Sequence, residues 1–319
     1  MIKVAVDAMG GDDAPLEIVK GCAMAVRSIP EVYIYAVGKQ EEIEKILAGE
    51  EYDHERLEIV NATETIEMGD VPTMAVRRKK DSSLVVAMRM VHDGKADALV
   101  SCGSTGAVLV GAQVIVGRKP GVDRSPLATM IPTAKGFSLL IDCGANVDPR
   151  PEQLHTFARL GSDYYSRVMG VEKPSVKLVN IGAEDEKGNA LVKAVKPLLE
   201  ADDTINYAGY IESRDIPAGG ADVIVCDAFT GNVILKLYEG VAKTLIGSIK
   251  EGLMGSLRSK IGALLIKPAL KGVMKNFDAS EYGGAPMLGL TGLVVKGHSN
   301  SNAKAVYNAI RQCVNYKGE

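Results

Sequence analysis

Five times in this chain an apolar run ends in a small polar or acidic residue and opens into a short, mostly glycine-bearing turn. The five are VAVDAMGGDDAP (4–15), ALVSCGSTGA (98–107), LLIDCGANVD (139–148), LVNIGAEDEKGN (178–189) and VIVCDAFTGNV (223–233). Each reads as a buried strand followed by a loop into a helix, the grammar of a parallel sheet with crossover helices. Strand ends in such sheets share one edge, and ligands bind in the crevice outside them. The feature thus constrains the fold class and the place of a site together.

The same alternation runs from end to end. Strands are expected near 2–6, 31–37, 57–61, 97–101, 127–132, 137–142, 175–180, 205–211, 222–226 and 293–296. Helices are expected over 15–28, 39–48, 83–93, 104–116, 151–169, 188–200, 231–253, 256–275 and 301–315. No Ser/Pro-rich linker or low-complexity tract interrupts them. The expectation is one α/β domain over 1–319, a doubly wound three-layer α/β/α sandwich on a largely parallel sheet, with a helical excursion over about 231–277. The TAKG turn between 127–132 and 137–142 predicts a hairpin that breaks the parallel order.

Composition removes several function classes. A net charge of −3 over 319 residues argues against nucleic acid as a partner, since phosphate-backbone binders carry a basic bias. Five cysteines without a CxxC pair fit a reduced cytoplasmic protein. The opening MIKVAVDA carries no charged-then-apolar leader, so a secreted protein is not expected, and no long charge-free apolar stretch is available to span a bilayer. There is no GxGxxG after the first strand and no GxxxxGK[ST], so neither a dinucleotide nor a nucleoside triphosphate has its fingerprint.

The turns suit an anion better than a metal. In SCGSTGA, Gly103 and Gly106 permit a tight turn, while Ser104 and Thr105 offer hydroxyls and N–H groups at a helix start. That arrangement is an anion cradle or an ordinary capped helix, and both readings stay open. DAFTGNV repeats the chemistry with Thr230, Gly231 and Asn232. Asp7, Asp142 and Asp227 end strands and are read as orienting carboxylates. Asn146 and Asn180 are neutral amides able to hold an anion or a carbonyl without repelling it. In the run Arg77-Arg78-Lys79-Lys80, helical spacing lets at most two cations reach one ligand; Arg78 and Lys80 are the candidates. His298, after the last strand, is a ligand contact or a polar loop residue. Cys102, Cys143 and Cys226 also sit at strand ends, but no neighbouring histidine activates them, and they read as packing residues.

One segment is amphipathic in a different sense. No acidic residue occurs over 252–277, and Leu253, Leu257, Ile261, Leu264 and Leu265 share one arc of a helical wheel with Arg258, Lys260 and Lys267 at its edges. The pattern fits a helix lying in an anionic membrane interface, or a helix pair packed on the body or on a second copy.

Taken together, AVDAMGGDDAP, VRRKKDSS, SCGSTGA, DCGAN, NIGAEDEKGN, DAFTGNV and YGGAPMLG resemble the PlsX family of phosphate acyltransferases, in order and over essentially the whole length. Two positions depart from the family pattern: Asp13 stands where histidine is common, and Ser104 where asparagine is common. The resemblance implies transfer of a fatty acyl group from acyl carrier protein to inorganic phosphate, giving acyl phosphate for phospholipid synthesis. It also implies a homodimer with an isocitrate dehydrogenase/phosphate acetyltransferase-like fold, peripheral membrane association, and a membrane-bound glycerol-3-phosphate acyltransferase as consumer of the product. That chemistry requires neither cofactor nor metal. The residues expected to carry it are Asn146, Asn180, Asn232 and Lys80, with phosphate and thioester held by Gly103, Ser104, Thr105, Gly106, Arg78, Thr230, Gly231 and His298. Two rival enzymes are a metal-dependent decarboxylating dehydrogenase and a coenzyme A-dependent acyltransferase. In the first, the magnesium-binding carboxylates would fall where this chain has Asn232 and Lys236. A non-catalytic membrane scaffold is the third alternative.

Overall fold

The computed structural model describes residues 1–276 and 283–317, so Tyr282 of YGGAPMLG lies outside the described residues. The first half runs β1 (Ile2–Asp7), α1 (Leu16–Ser28), β2 (Val32–Gly38), α2 (Gln40–Leu47), β3 (Leu57–Asn61), α3 (Pro72–Arg78), α4 (Ser83–His92), β4 (Ala98–Ser101) and α5 (Thr105–Gly111). A π-helical turn over Ala112–Val116 extends α5. The second half runs β5 (Ala128–Thr133), β6 (Gly136–Ile141), α6 (Pro151–Met169), β7 (Ser175–Val179), α7 (Ala190–Glu200), β8 (Asn206–Ile211), β9 (Val223–Val225), α8 (Ala228–Met254), α9 (Leu257–Asn276), β10 (Ala285–Met287), β11 (Leu293–Lys296) and α10 (Ala303–Lys317).

The strands divide between two sheets rather than forming the single sheet expected. One has the order β10-β11-β4-β1-β2-β3 and the other β5-β6-β9-β7-β8. Every pairing is parallel except β10 with β11 and the β5–β6 hairpin, which forms where the TAKG turn predicts it. The order β11-β4-β1 could not be read from the sequence, because it joins segments about two hundred residues apart.

Strand alternation explains how the sheets share a core. Successive residues of a strand face opposite sides. In the first sheet Val4 and Val6, Ala98 and Val100, and Leu293 and Val295 face α1 and α10. Between them Ala5, Leu99 and Val294 face the helical layer of α4 and α5, in a cluster with Val85, Met88 and Val108 that extends to Leu140 and Ile224 of the second sheet. The far side of the second sheet buries Leu139, Ile141, Val223 and Val225 against Leu154 and Phe157 of α6 and Leu199 of α7. Full burial of such side chains stabilises by roughly 1.5–3 kcal/mol each. Leu99, fully buried in the shared cluster, would cost about 2–5 kcal/mol on truncation to alanine.

The helical excursion departs from this plan. Of the 27 residues of α8, Ala228 and Gly231 are the buried ones. Leu257, Ile261, Leu264 and Leu265 of α9 are all exposed, and Leu253 at the end of α8 is half-buried. Among the described residues no helix is long and apolar enough to cross a membrane.

Candidate active site

Register and alternation together set one rim of the site. Asp7, Ser101 and Lys296 end β1, β4 and β11, and Ser101 pairs with both of the others. Each lies two residues beyond a side chain on the α4 side of the sheet (Ala5, Leu99 and Val294), so all three project to that side, beyond the strand ends. Asp7 is buried and accepts hydrogen bonds from Ser83 Oγ at 2.6 Å and Ser101 Oγ at 2.7 Å. The Gly103 N–H in turn donates to Ser101 Oγ at 3.1 Å. Burial pushes the Asp7 carboxyl up from its ordinary range, opposed by the two serine hydroxyls, the Met9 backbone and the Lys296 charge.

Lys296 is 8% exposed. Its Nζ donates to the Gly297 carbonyl, and it forms no ion pair among the described residues. Burial pulls its pKa below the usual lysine value, against the charges of Cys102, Asp7 and Asp12. An ammonium held away from water without a counter-ion is costly unless an anion completes it. The sequence reading missed this residue. Its signal was the alternation of LVVK, which turns Lys296 to the same side as Val294.

Lys296 lines a cavity of about 860 Å³ between the two sheets and α8. Thr105, Asn232 and His298 line it too, so three residues expected from the sequence converge there with one that was not. His298 lies 3.9 Å from Glu239. Burial chiefly holds its imidazole below the usual histidine pKa, opposed by Glu239 and aided by Lys236 and Lys296. The cavity also has apolar walls, including Met130, Ile131 and Pro132 of β5 and Leu235 and Ile246 of α8.

Other expected residues have structural partners. Asp227 caps α8 by accepting from the Thr230 N–H at 2.9 Å and the Thr230 hydroxyl at 2.7 Å. A carboxylate therefore occupies the place at which DAFTGNV was expected to cradle an anion. A Cβ on Gly231 would collide with the Asp142 carbonyl oxygen, so that glycine lets α8 lie on the DCGAN backbone. Gly106 plays the same part toward Pro72 at the start of α3. Asp142 accepts from the N–H groups of Leu127, Gly144, Ala145 and Asn146, and from the Asn146 side chain at 2.7 Å. Burial raises its pKa against these bonds. The second amide hydrogen of Asn146 goes to the Ser125 carbonyl at 3.2 Å.

Asn180 binds its own loop, accepting from the Ile181 N–H at 2.9 Å. Ser104 is buried at the start of α5 and its side chain makes no capping bond. Arg78 and Lys80 are exposed, and neither lines the cavity. Their neighbour Lys79 turns back onto Asp70 at 2.6 Å. Cys102, Cys143 and Cys226 are buried, and burial raises each thiol pKa, in keeping with packing. Among the described residues no group of three or more His, Cys, Asp or Glu is placed to hold a metal ion.

The family profile described as "Fatty acid synthesis protein" matches residues 2–318. The chain belongs to that family. A phosphate acyltransferase of Clostridium botulinum (strain Alaska E43 / Type E3) is 48% identical over 312 residues, covering 98% of this chain and 94% of that one. A phosphate acyltransferase of Clostridium acetobutylicum is 46% identical over 311 residues, with the same two coverages. Among solved structures, a phosphotransacetylase from Streptococcus pyogenes aligns with a TM-score of 0.67 at 17% identity, covering 100% of this chain and 94% of that one. A 4-hydroxythreonine-4-phosphate dehydrogenase from Klebsiella pneumoniae aligns at 0.54 with 12% identity, covering 99% of each chain. At these identities the two structures speak to fold, and they bear out the three-layer α/β/α architecture.

Proposed function

We propose that this protein transfers a fatty acyl group from acyl carrier protein to inorganic phosphate, yielding acyl phosphate and the free carrier thiol. The observation that carries this reading is Lys296, a buried ammonium that forms no ion pair among the described residues and lines the cavity beside Thr105, Asn232 and His298. A phosphate oxygen attacks the thioester carbonyl, a tetrahedral oxyanion forms, and the C–S bond breaks with the electron pair leaving on sulfur. Lys296 holds the phosphate, and Thr105 and Asn232 donate to it or to the oxyanion. His298 takes the proton of monohydrogen phosphate and passes it to the thiolate. Holding two reactants in line supplies most of the acceleration such a transfer needs.

In this reading the protein is cytoplasmic and peripherally bound to the membrane, where a glycerol-3-phosphate acyltransferase consumes the acyl phosphate. The apolar arc of α9, with Leu257 and Leu265 76% and 77% exposed, meets the lipid surface, and the exposed row Val233, Leu237 and Val241 of α8 meets a second copy.

Thiol release is the test, measured from acyl carrier protein and coenzyme A thioesters with and without phosphate. The expected result is phosphate-dependent release that favours the carrier protein. Equal rates with coenzyme A would move the donor assignment, and release indifferent to phosphate would overturn the reading.

A further inference from the structure

Helix α8 presents two adjacent stripes to the cavity. Leu235, Tyr238, Ala242 and Ile246 form one, at spacings of three and four residues, and Asn232, Lys236, Glu239 and Lys243 form the other. Both spacings keep a stripe on one helical face. Their neighbours differ. On the first stripe the Tyr238 hydroxyl donates to the Pro132 carbonyl of β5, which fixes that stripe against the strand contributing Met130 and Ile131 to the cavity. On the second, Glu239 pairs with Lys236 at 3.1 Å and reaches His298 at 3.9 Å. The cavity is thus divided along its length into an apolar wall at β5 and a polar wall at the loop after β11.

We propose that the apolar wall is the binding site for the acyl chain, with Ala242 and Ile246 limiting the chain length accepted. The inference rests on the acyl-transfer reading and assigns its substrate a direction: carbonyl at Lys296 and His298, chain running along α8 away from them. A carrier's prosthetic arm contains amides and a hydroxyl, which lose hydrogen bonds on burial against aliphatic side chains. The β5 wall offers the chain aliphatic contact and leaves the arm the asparagine, lysines and glutamate of the other stripe. His298 sits level with Glu239, and from there to Ile246 the helix rises about 10 Å, a run that takes many methylenes of a chain rather than an acetyl group alone.

The experiment compares butyryl and palmitoyl thioesters of the same carrier protein, so that carrier and arm contacts cancel. Ala242→Phe narrows the apolar wall. It should lower the palmitoyl-to-butyryl ratio of kcat/KM by about ten-fold, the equivalent of roughly two methylenes losing their contacts. Ala194→Phe, the same substitution at an exposed position of α7 away from the cavity, should keep the wild-type ratio, and thermal unfolding of both variants checks that each is folded. A ratio in folded Ala242→Phe within two-fold of wild type overturns the proposal, as does an equal loss for both donors, which would place the shared arm on this wall. Failure of the function itself looks different: wild-type protein would then show no phosphate-dependent release from either donor.

Discussion

Two buried carboxylates stand at the ends of β1 and β6, one in each sheet, and their surroundings separate the rim proposed to work from a structural one. Asp142 is met by four backbone N–H groups and an amide. Every partner is a donor fixed by the backbone or by its own second bond. Asp7 is met by two serine hydroxyls, which rotate, and has Lys296 near enough to influence its charge. The second rim is closed upon itself, whereas the first carries a cation that forms no ion pair among the described residues. A strand-end carboxylate in an α/β protein is therefore no sign of function by itself. What distinguishes the rim proposed to work is charge left over once the internal bonds are made.

The largest effect expected from this difference is on activity at the first rim. Lys296→Met keeps an unbranched apolar stem and removes the charge. Loss of a preorganised donor to a developing oxyanion or its nucleophile typically lowers turnover by about 10² to 10³, and kcat/KM for phosphate should fall by that order. Stability should hold or rise, because replacing a buried charge by an apolar side chain is often neutral or stabilising. Urea unfolding beside steady-state kinetics reads both. A strongly destabilised variant would mean that the lysine is structural and would erase the contrast.

Asp142→Asn should do the reverse. Whichever oxygen becomes an NH₂ group faces at least two donors that cannot turn round, and each unsatisfied buried donor costs about 1–3 kcal/mol. A loss of about 3 kcal/mol in unfolding free energy is expected, with the phosphate KM of the remaining folded protein little changed. A stable Asp142→Asn protein with impaired turnover would make the two rims alike.

How far these rims could be read in advance depended on whether the information was local. Alternating burial is local, so VAVD, ALVS, LLID and VIVC declared their strands, and β5 and β6 lie within a residue of the hairpin expected. Asp227 was read as an orienting strand-end carboxylate; it is instead the cap of α8, which starts three residues before the expected 231. Helix α3 was missed because PTMAVRR buries only Ala75 and Val76, too few positions to display a period. β10 was missed because three residues become a strand by pairing with β11, which their own sequence does not foretell.

The site divided along the same line. Thr105, Asn232 and His298 follow strands closely in sequence and reach the cavity. Arg78 and Lys80 had the right chemistry, but their place depended on α3, which turns them to solvent. Lys296 was in plain view at the end of LVVK. Its importance appears only when β11 is laid beside β4, a pairing across about two hundred residues.

The smallest expected effect is also the one that tests whether the two carboxylates differ in kind. Asp7→Asn leaves Ser83 and Ser101 able to rotate and accept from the new amide, so its cost in stability should be about 1 kcal/mol, well under that of Asp142→Asn. Its consequence for function follows from charge. Asp7 favours the ammonium form of Lys296, while burial disfavours it. As pH rises through the depressed lysine pKa the ammonium is lost, so phosphate KM should climb on the alkaline side. Removing the Asp7 charge takes away a stabilising influence on the ammonium, so that climb should begin at lower pH in Asp7→Asn. It should be absent from Lys296→Met, which has no proton to lose there. Profiles of phosphate KM against pH for the three proteins separate the cases. An alkaline limb that stays in place in Asp7→Asn, or moves to higher pH, would reduce Asp7 to the same structural standing as Asp142.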